Sequence, residues 1–234
     1  MEANGTVKIE DGKIRKGSVF ERYENRKIGY YFSYNISFVV DVSISPEGNV
    51  GKSYDVIGIP VHSTTKLIAV ETLYYNKEIK EVLARCKKIK ILDPFNLGIP
   101  NVDCEVSKDK DSIKVIYYPN PPLQPGHIIK WGAYFWHKGV YYNKLEEILN
   151  EQGVDYEGSG AAISDPTYYL KIRVELPWTP TWVDANEATI LPVNRLSLDN
   201  IKAKHNFTQR GNILILEVIN PEFLPYIIRW RPPS

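Results

Sequence analysis

Residues that support redox, metal and catalytic chemistry are scarce in this chain, which has 2 cysteines, 4 histidines and 1 methionine among 234 residues. The histidines show neither HxH nor HExxH spacing, and no GxSxG or phosphate-binding GxxxxGK motif occurs. The cysteines form no CxxC pair and have no zinc-type spacing. We therefore expect a protein without a metal or other cofactor and without a catalytic site, in which the histidines are ordinary structural or exposed side chains.

The two cysteines, Cys86 and Cys104, leave open whether the chain carries a disulfide bond. Structural disulfides occur mainly in proteins of oxidising compartments. The first residues of the chain lack the basic and then apolar run of a signal peptide. The sequence therefore favours two free thiols and a cytoplasmic location.

Neither sign of charge dominates, because 29 basic and 28 acidic residues give a formal net charge of +1 at pH 7. A general nucleic-acid binder or a polybasic membrane anchor needs a clear positive excess. No apolar run approaches the roughly 20 residues that a membrane-spanning helix requires. We expect neither nucleic acid nor membrane as a partner, which leaves a protein or a glycan.

Aromatic residues are abundant instead, with 16 tyrosines and 5 tryptophans, and such residues favour half-buried β-strands. Between residues 30 and 44, large apolar side chains occupy the even positions and mostly polar ones occupy the odd positions. This alternation predicts a strand with one buried and one solvent-facing side. Because the segment is longer than most strands, we expect a bulge or bend within it.

Shorter alternating segments, separated by turns that contain proline and glycine, predict further strands along the rest of the chain. Helical spacing occurs at 76–88 and at 143–152, where Asn143 is the predicted N-cap. Strands without intervening helices exclude a parallel α/β fold. We therefore predict an all-β protein, a tandem antiparallel β-sandwich similar in general shape to immunoglobulin or fibronectin domains, with one or two short helices.

The predicted elements divide the chain into four parts. Residues 1–27 form a loose N-terminal arm, and residues 28–140 form a first β-sandwich unit. Residues 141–165 contain the second helix and a linker rich in glycine, alanine and serine. Residues 166–234 form a second β-sandwich unit, which either stands apart or packs with the first unit as one domain.

An internal repeat relates residues 102–131 to residues 202–230. Both copies contain an Asn-Pro corner followed by a further proline, and both end in Ile-Ile-basic-Trp, at Trp131 and Trp230. The match predicts a β-meander with an equivalent role in each unit and a tryptophan in each core. Chance similarity between two proline-containing hairpins is the alternative explanation.

Four aromatic residues are the candidate ligand-binding residues. Trp178 and Trp182 lie in a proline-stiffened loop, which suits either a stacking platform for a ligand or a filler between the two units. Tyr141 and Tyr142 form one of several Tyr-Tyr pairs. Neighbours in a strand face opposite sides, so one ring of each pair is expected to be exposed, where a tyrosine can bind a sugar or a protein.

These observations favour a non-enzymatic binding or protein-interaction module of β-sandwich type that works as part of a larger system. A carbohydrate-binding module that uses the loop tryptophans and exposed tyrosines is the main alternative. The sequence also leaves open a structural subunit of a symmetric assembly, and an enzyme whose site is assembled from residues distant in the chain.

Overall fold

The computed structural model describes residues 9–10, 13–14, 33–60, 62–73, 81–92, 101–109, 112–185, 205–221 and 225–234. The elements in these residues are, in chain order, β1 (Ile9–Glu10), β2 (Lys13–Ile14), β3 (Ser33–Ile44), β4 (Val50–Pro60), β5 (Leu67–Thr72), β6 (Val82–Cys86), β7 (Lys90–Ile91), β8 (Asn101–Lys108), β9 (Ser112–Asn120), β10 (Ile129–His137), α1 (Leu145–Gln152), β11 (Glu157–Ala162), β12 (Thr167–Glu175), β13 (Val183–Asp184), β14 (His205–Arg210), β15 (Ile213–Ile219) and β16 (Pro225–Trp230). Most of the predicted arm at 1–27 lies outside the described residues.

Eight strands form one large sheet in the order β14-β15-β12-β3-β4-β10-β6, with β7 also pairing along β10. Two three-stranded sheets accompany it, β5-β9-β8 and β11-β16-β13, and β1 pairs with β2. The predicted all-β class with several antiparallel sheets is confirmed. One pairing departs from the predicted antiparallel meanders, because β12 runs parallel to β3.

The two small sheets pack against one face of the large sheet, which we call the inner face. One continuous core joins Val42 and Ile172 of the large sheet to Val115 of β9 and Ile228 of β16, all fully buried. Burial alternates strictly along β4, so its odd-numbered residues point to the opposite, outer face. The result is a two-layer sandwich in which the core lies between the large sheet and the two small ones.

The strand predicted from the alternation at 30–44 is confirmed as β3 over its described part. Val40, Val42 and Ile44 are buried on its even side, as expected. Its register with β4 shifts between Asn35 and Ser37, which is the predicted bulge.

Strands from both predicted units share the large sheet, since β12 pairs along β3 and β15 pairs along β12. The segment predicted as a linker contains β11, which pairs along its whole length with β16. Its small residues allow close approach of the two backbones: a Cβ on Gly160 would lie 1.9 Å from the carbonyl oxygen of Tyr226. Glycine in this segment therefore serves strand packing, and the prediction of a linker there is wrong.

The helix predicted at 143–152 is confirmed as α1, but its predicted N-cap is wrong. Lys144 occupies the N-cap position without a capping side-chain bond, and the Asn143 side chain donates to the carbonyl of Pro46 instead. The first helical N–H, that of Leu145, donates to the carbonyl of Pro233 at 2.8 Å. The helix ends at Gly153, whose φ of 66° is the left-handed conformation that glycine adopts readily.

The helix predicted at 76–88 is wrong for residues 82–86, which form the edge strand β6, and residues 74–80 lie outside the described part. Pairing along β10 supplies main-chain hydrogen bonds that the local helical spacing could not outweigh. In this register Leu83 lies opposite Trp136 and Arg85 lies opposite Tyr134. The strand thus extends the outer face of the large sheet.

The two repeat copies form the same local structure but exchange layers. In the first copy, the hairpin β8-β9 belongs to a small sheet and the following strand β10 to the large sheet. In the second copy, the hairpin β14-β15 belongs to the large sheet and β16 to a small sheet. Trp230 is 1% exposed in the core, whereas Trp131 is half-buried and packs edge-on against Tyr117, with ring centres 6.1 Å apart.

The two cysteines are bonded to each other, so the expectation of two free thiols is wrong. Cys86 ends β6 at the edge of the large sheet, and Cys104 lies in β8 of a small sheet, with 6.4 Å between their Cα atoms. The bond therefore connects the two layers of the sandwich across their edges. Spacing in the sequence could not show this proximity, because it arises only when the layers pack.

Candidate functional site

The loop that holds Trp178 and Trp182 follows β12 and is attached to the C-terminal segment. The guanidinium of Arg231 lies 5.2 Å from the centre of the Trp182 ring, and the Arg231 N–H donates to the Trp182 carbonyl at 3.2 Å. Gln209 donates to the Pro180 carbonyl at 3.1 Å. Both indoles are half-buried, and Arg231 already stacks on one of them. A ligand-binding role for the two tryptophans stays a prediction.

Tyr141 and Tyr142, the other two predicted ligand-binding residues, lie in the interior with exposures of 2% and 0%. The Tyr141 ring packs 5.5 Å from that of Trp230, and the Tyr142 hydroxyl donates to Glu151 at 2.8 Å. The expectation that one ring of this pair is exposed is wrong, because these residues precede α1 in a loop and do not alternate as in a strand. In this conformation neither ring forms part of a surface that a ligand could contact.

A buried polar cluster lies between the layers, on the inner face of the large sheet. The Glu71 carboxylate of β5 accepts a hydrogen bond from the Lys52 ammonium of β4 at 2.6 Å, and a further bond from the Tyr54 hydroxyl. Nε2 of His137 lies 3.6 Å from the same carboxylate. Lys52, Glu71 and His137 are 7%, 2% and 0% exposed, so this meeting of histidine and carboxylate is closed to solvent.

Burial and charge oppose each other in setting the pKa values of this cluster. Burial lowers the pKa of His137 to about 4, against the attraction of the Glu71 charge. Burial acts to raise the pKa of Glu71, but the charges of Lys52 and His137 and the hydrogen bonds from Lys52 and Tyr54 hold it below its ordinary value. At neutral pH, His137 is therefore uncharged and Lys52 is the cation that balances Glu71.

The stability of the fold is expected to fall as the pH drops from 6.5 towards 4. Between the ordinary histidine pKa of 6.5 and the folded value of about 4, the unfolded chain binds one proton more at His137 than the folded chain does. Protonation therefore favours unfolding across this window, and the lowered pKa of Glu71 acts in the same direction at its acid end. Thermal melts at half-unit pH steps should show a decreasing Tm.

The matched variant for the pH series is His137→Gln, which removes the titrating group. Its Tm should depend less on pH than that of the wild type between pH 6.5 and 4. If the Tm of wild type and of His137→Gln fell equally with pH, His137 would not be the cause of the acid sensitivity.

An open groove of about 820 Å³ crosses the outer face of the large sheet. Volumes of this size are usual for small-molecule sites. One row of its lining takes a single residue from each of five neighbouring strands, β12, β3, β4, β10 and β6. In that order the residues are Arg173, Asp41, Ser53, Tyr134 and Arg85.

A second row runs beside the first, two residues further along the strands. It consists of Ser43, Gly51, Trp136 and Leu83, from β3, β4, β10 and β6. Residues two apart in a strand lie on one face about 7 Å from each other. The two rows therefore form one surface about 7 Å wide, on the side away from the core.

The groove has a low floor and a high aromatic wall. Its floor consists of the small residues Ser43, Gly51 and Ser53, and a Cβ on Gly51 would meet no atom within 4 Å. The wall consists of Tyr134, which is 51% exposed, and the half-buried Trp136. An aromatic wall beside an open floor can hold a flat or extended ligand by ring contact.

Lys87 holds the Tyr134 ring in position. Its ammonium lies 4.2 Å from the ring centre, within the range of a cation–π interaction. The same ammonium donates to Ser53 and to Asp55, each at 2.6 Å. With three partners, the lysine is fixed over one face of Tyr134, which pre-orients the aromatic wall.

The charged residues of the groove divide into paired and unpaired ones. Arg173 pairs with Glu175 at 2.8 Å, and Glu81 lies 3.9 Å from Lys138. Among the described residues, Asp41 and Arg85 have no ion-pair partner within 4.0 Å. Among these residues, Asp41 of β3 is thus the unpaired acid of the groove, and Arg85 of β6 is its unpaired base.

The sequence contained a signal for this site that the strand prediction did not use. In β10, Ala133, Phe135 and His137 face the core, so Tyr134 and Trp136 must face the other side. Two large aromatic residues on the solvent-facing side of one strand indicate a contact surface. The partners on β6 could not be found in this way, because that segment has helical spacing.

Within the described part of the chain, no group of three or more histidine, cysteine, aspartate or glutamate side chains is arranged to hold a metal ion. In the same residues, no helix is long and apolar enough to cross a membrane.

The fold and the groove define an all-β protein with a sandwich-like core and one open outer surface. No protein-family model matches the chain, and no curated protein matches it either.

Solved structures with distant similarity include a candidate protease from Parabacteroides distasonis, with 7% identity over 86% of this chain and 40% of that chain, at a TM-score of 0.49. They also include an M1 zinc metallopeptidase from Deinococcus radiodurans, with 9% identity over 86% of this chain and 43% of the other, at 0.41. Yeast LTA4 hydrolase in complex with Bestatin is 12% identical over 91% of this chain and 32% of its own, at 0.44. The chain spans less than half the length of each of these proteins.

Proposed function

We propose that the protein is a non-enzymatic binding module whose ligand lies in the groove on the outer face of the large sheet. The observation that carries the proposal is the aromatic wall of Tyr134 and Trp136 beside an open floor at Gly51. An exposed aromatic surface costs solvation free energy, which contact with a ligand recovers. The ordered position of Tyr134 under Lys87 reduces the entropy lost on binding.

The proposal is tested by screening the protein against a display library of random heptapeptides and against a glycan array. Trp136→Ala is expected to weaken any groove ligand about thirtyfold or more, because truncation of a central aromatic residue of an interface costs about 2 kcal/mol or more. Gly51→Leu is expected to do the same by filling the floor. The leucine side chain enters open space in a strand, so the fold should keep its stability.

Tyr168→Ala is the matched control, since Tyr168 is an exposed tyrosine of the same sheet, 49% accessible, that does not line the groove. Ligands that bind wild type and Tyr168→Ala equally but lose affinity for both groove variants support the proposal. Ligands insensitive to both groove variants would contradict it.

A glycan is the second candidate ligand, and two aromatic side chains in one groove favour it, because sugar rings stack on such surfaces. In that case the site differs from the predicted one at Trp178 and Trp182. Trp178→Ala and Trp182→Ala, added to the glycan array, separate the two locations.

The cytoplasmic location predicted from the sequence stays a proposal, and the Cys86–Cys104 bond is unusual for a protein of that compartment. Cytosolic thiols are mostly kept reduced, with intracellular proteins of hyperthermophiles as an exception. Alkylation of the protein in freshly lysed source cells, followed by mass spectrometry, tests whether the bond is present in its native compartment.

A further inference from the structure

The two unpaired charges of the groove, Asp41 and Arg85, lie in one row across the sheet. Register places Asp41 opposite Ser53, Ser53 opposite Tyr134 and Tyr134 opposite Arg85. Three strand spacings of about 4.8 Å separate the two charged residues, which gives about 14 Å between their backbones. The groove thus presents an acid and a base at a fixed separation.

An extended polypeptide matches this separation in its own repeat. Each residue of an extended chain advances by about 3.3 Å, so four residues cover about 13 Å. Side chains at positions i, i+2 and i+4 project to the same side. A segment lying across the strands would therefore place its i and i+4 side chains over Asp41 and Arg85.

The middle of the row determines the chemistry of the i+2 side chain. The Lys87 ammonium lies between Ser53 and the Tyr134 ring, so that side chain would lie above Gly51, against the Trp136 part of the wall. The space over Gly51 is open, and the neighbouring surface is aromatic. An aliphatic or aromatic side chain fits there, because it removes apolar surface from water on both sides.

We infer that the groove binds an extended polypeptide segment with a basic side chain over Asp41, an apolar side chain two residues away and an acidic side chain over Arg85. The pattern is basic-x-apolar-x-acidic in either chain direction, since the row recognises charges and not strand polarity. This inference rests on the proposed function, because it names the ligand of the same groove. A neutral glycan offers no counterpart for the separated charges.

The test uses seven-residue peptides labelled with fluorescein, with lysine, leucine and glutamate at positions 2, 4 and 6 and serine or glycine elsewhere. Fluorescence anisotropy with the full chain measures Kd for this probe and for its reversed order. Two further probes carry lysine at both charged positions or glutamate at both. Wild type is expected to bind both mixed-charge probes at least about tenfold more tightly than either like-charge probe.

Charge reversal makes the test specific to the two residues. Arg85→Glu leaves two acidic ends and should shift the preference to the probe with two lysines by about tenfold or more. Asp41→Lys leaves two basic ends and should shift it to the probe with two glutamates. Arg210→Glu, an exposed charge reversal on β14 of the same sheet, is the control and should leave every Kd unchanged.

Two results would overturn the inference. In the first, none of the four probes binds wild type. In the second, the probes bind, but their order of Kd is the same for wild type, Arg85→Glu and Asp41→Lys. In either case the proposed function is judged separately, by whether ligands from the peptide library or glycan array are lost with Trp136→Ala and Gly51→Leu. If a glycan binds wild type but neither groove variant, and no peptide binds, the result supports the binding module and refutes a peptide ligand.

Discussion

Replacing Glu71 with alanine is expected to lower the free energy of unfolding by about 3–5 kcal/mol. The Lys52 ammonium and the Glu71 carboxylate are 7% and 2% exposed and 2.6 Å apart, so the variant breaks a buried ion pair from one side. The Tyr54 hydroxyl loses its acceptor as well. Urea denaturation followed by tryptophan fluorescence measures the difference.

The matched control for Glu71 is Glu81→Ala, which removes the acid of an exposed pair. Glu81 and Lys138 are 49% and 58% exposed and 3.9 Å apart, so the loss should stay below about 1 kcal/mol. The double variant Lys52→Met with Glu71→Leu should recover part of the loss, because apolar side chains often replace a buried ion pair at little cost. A single-variant loss as small as that of the control would show that water reaches the Lys52–Glu71 pair.

Removing the disulfide by Cys86→Ser together with Cys104→Ser is expected to cost about 3 kcal/mol, the loop-closure entropy for a loop of this size. The bond spans a sequence separation of 18 and joins the edge strand β6 to the opposite layer. For a chain of this length, such a loss corresponds to a decrease in Tm of about 6–12 °C. Differential scanning calorimetry measures it.

Reductant provides the matched comparison for the disulfide. Dithiothreitol should lower the Tm of the wild type towards that of the double serine variant, and it should leave the variant unchanged. The bond would be refuted if the Tm of the wild type did not change with reductant and the mass of the untreated chain showed two free thiols.

Local periodicity was sufficient for β3. The alternation at 30–44 identified both the strand and the residues facing the core, because a period of two follows from backbone geometry alone. The same reasoning failed where pairing competes with local preference. Residues 82–86 have helical spacing, but the hydrogen bonds of β10 make them an edge strand.

The candidate site was less accessible to sequence reasoning than the strands. The predicted tyrosines, Tyr141 and Tyr142, are interior residues, and Trp182 is stacked by Arg231 from a distant part of the chain. The groove takes its residues from five strands, and the row from Arg173 to Arg85 exists only through their register. Spacing along the chain carries no information on register between strands so far apart.

The sequence by itself determined the all-β class and, for β3, which side of the strand is buried, because these follow from the residue types and the two-residue repeat. Only the tertiary structure decided that β12 lies parallel to β3, that Cys86 meets Cys104, and that Asp41 and Arg85 lie in one row, three strand spacings apart. These relations depend on contacts between residues far apart in the chain. Such contacts are selected by the packing of the whole core and not by any local pattern.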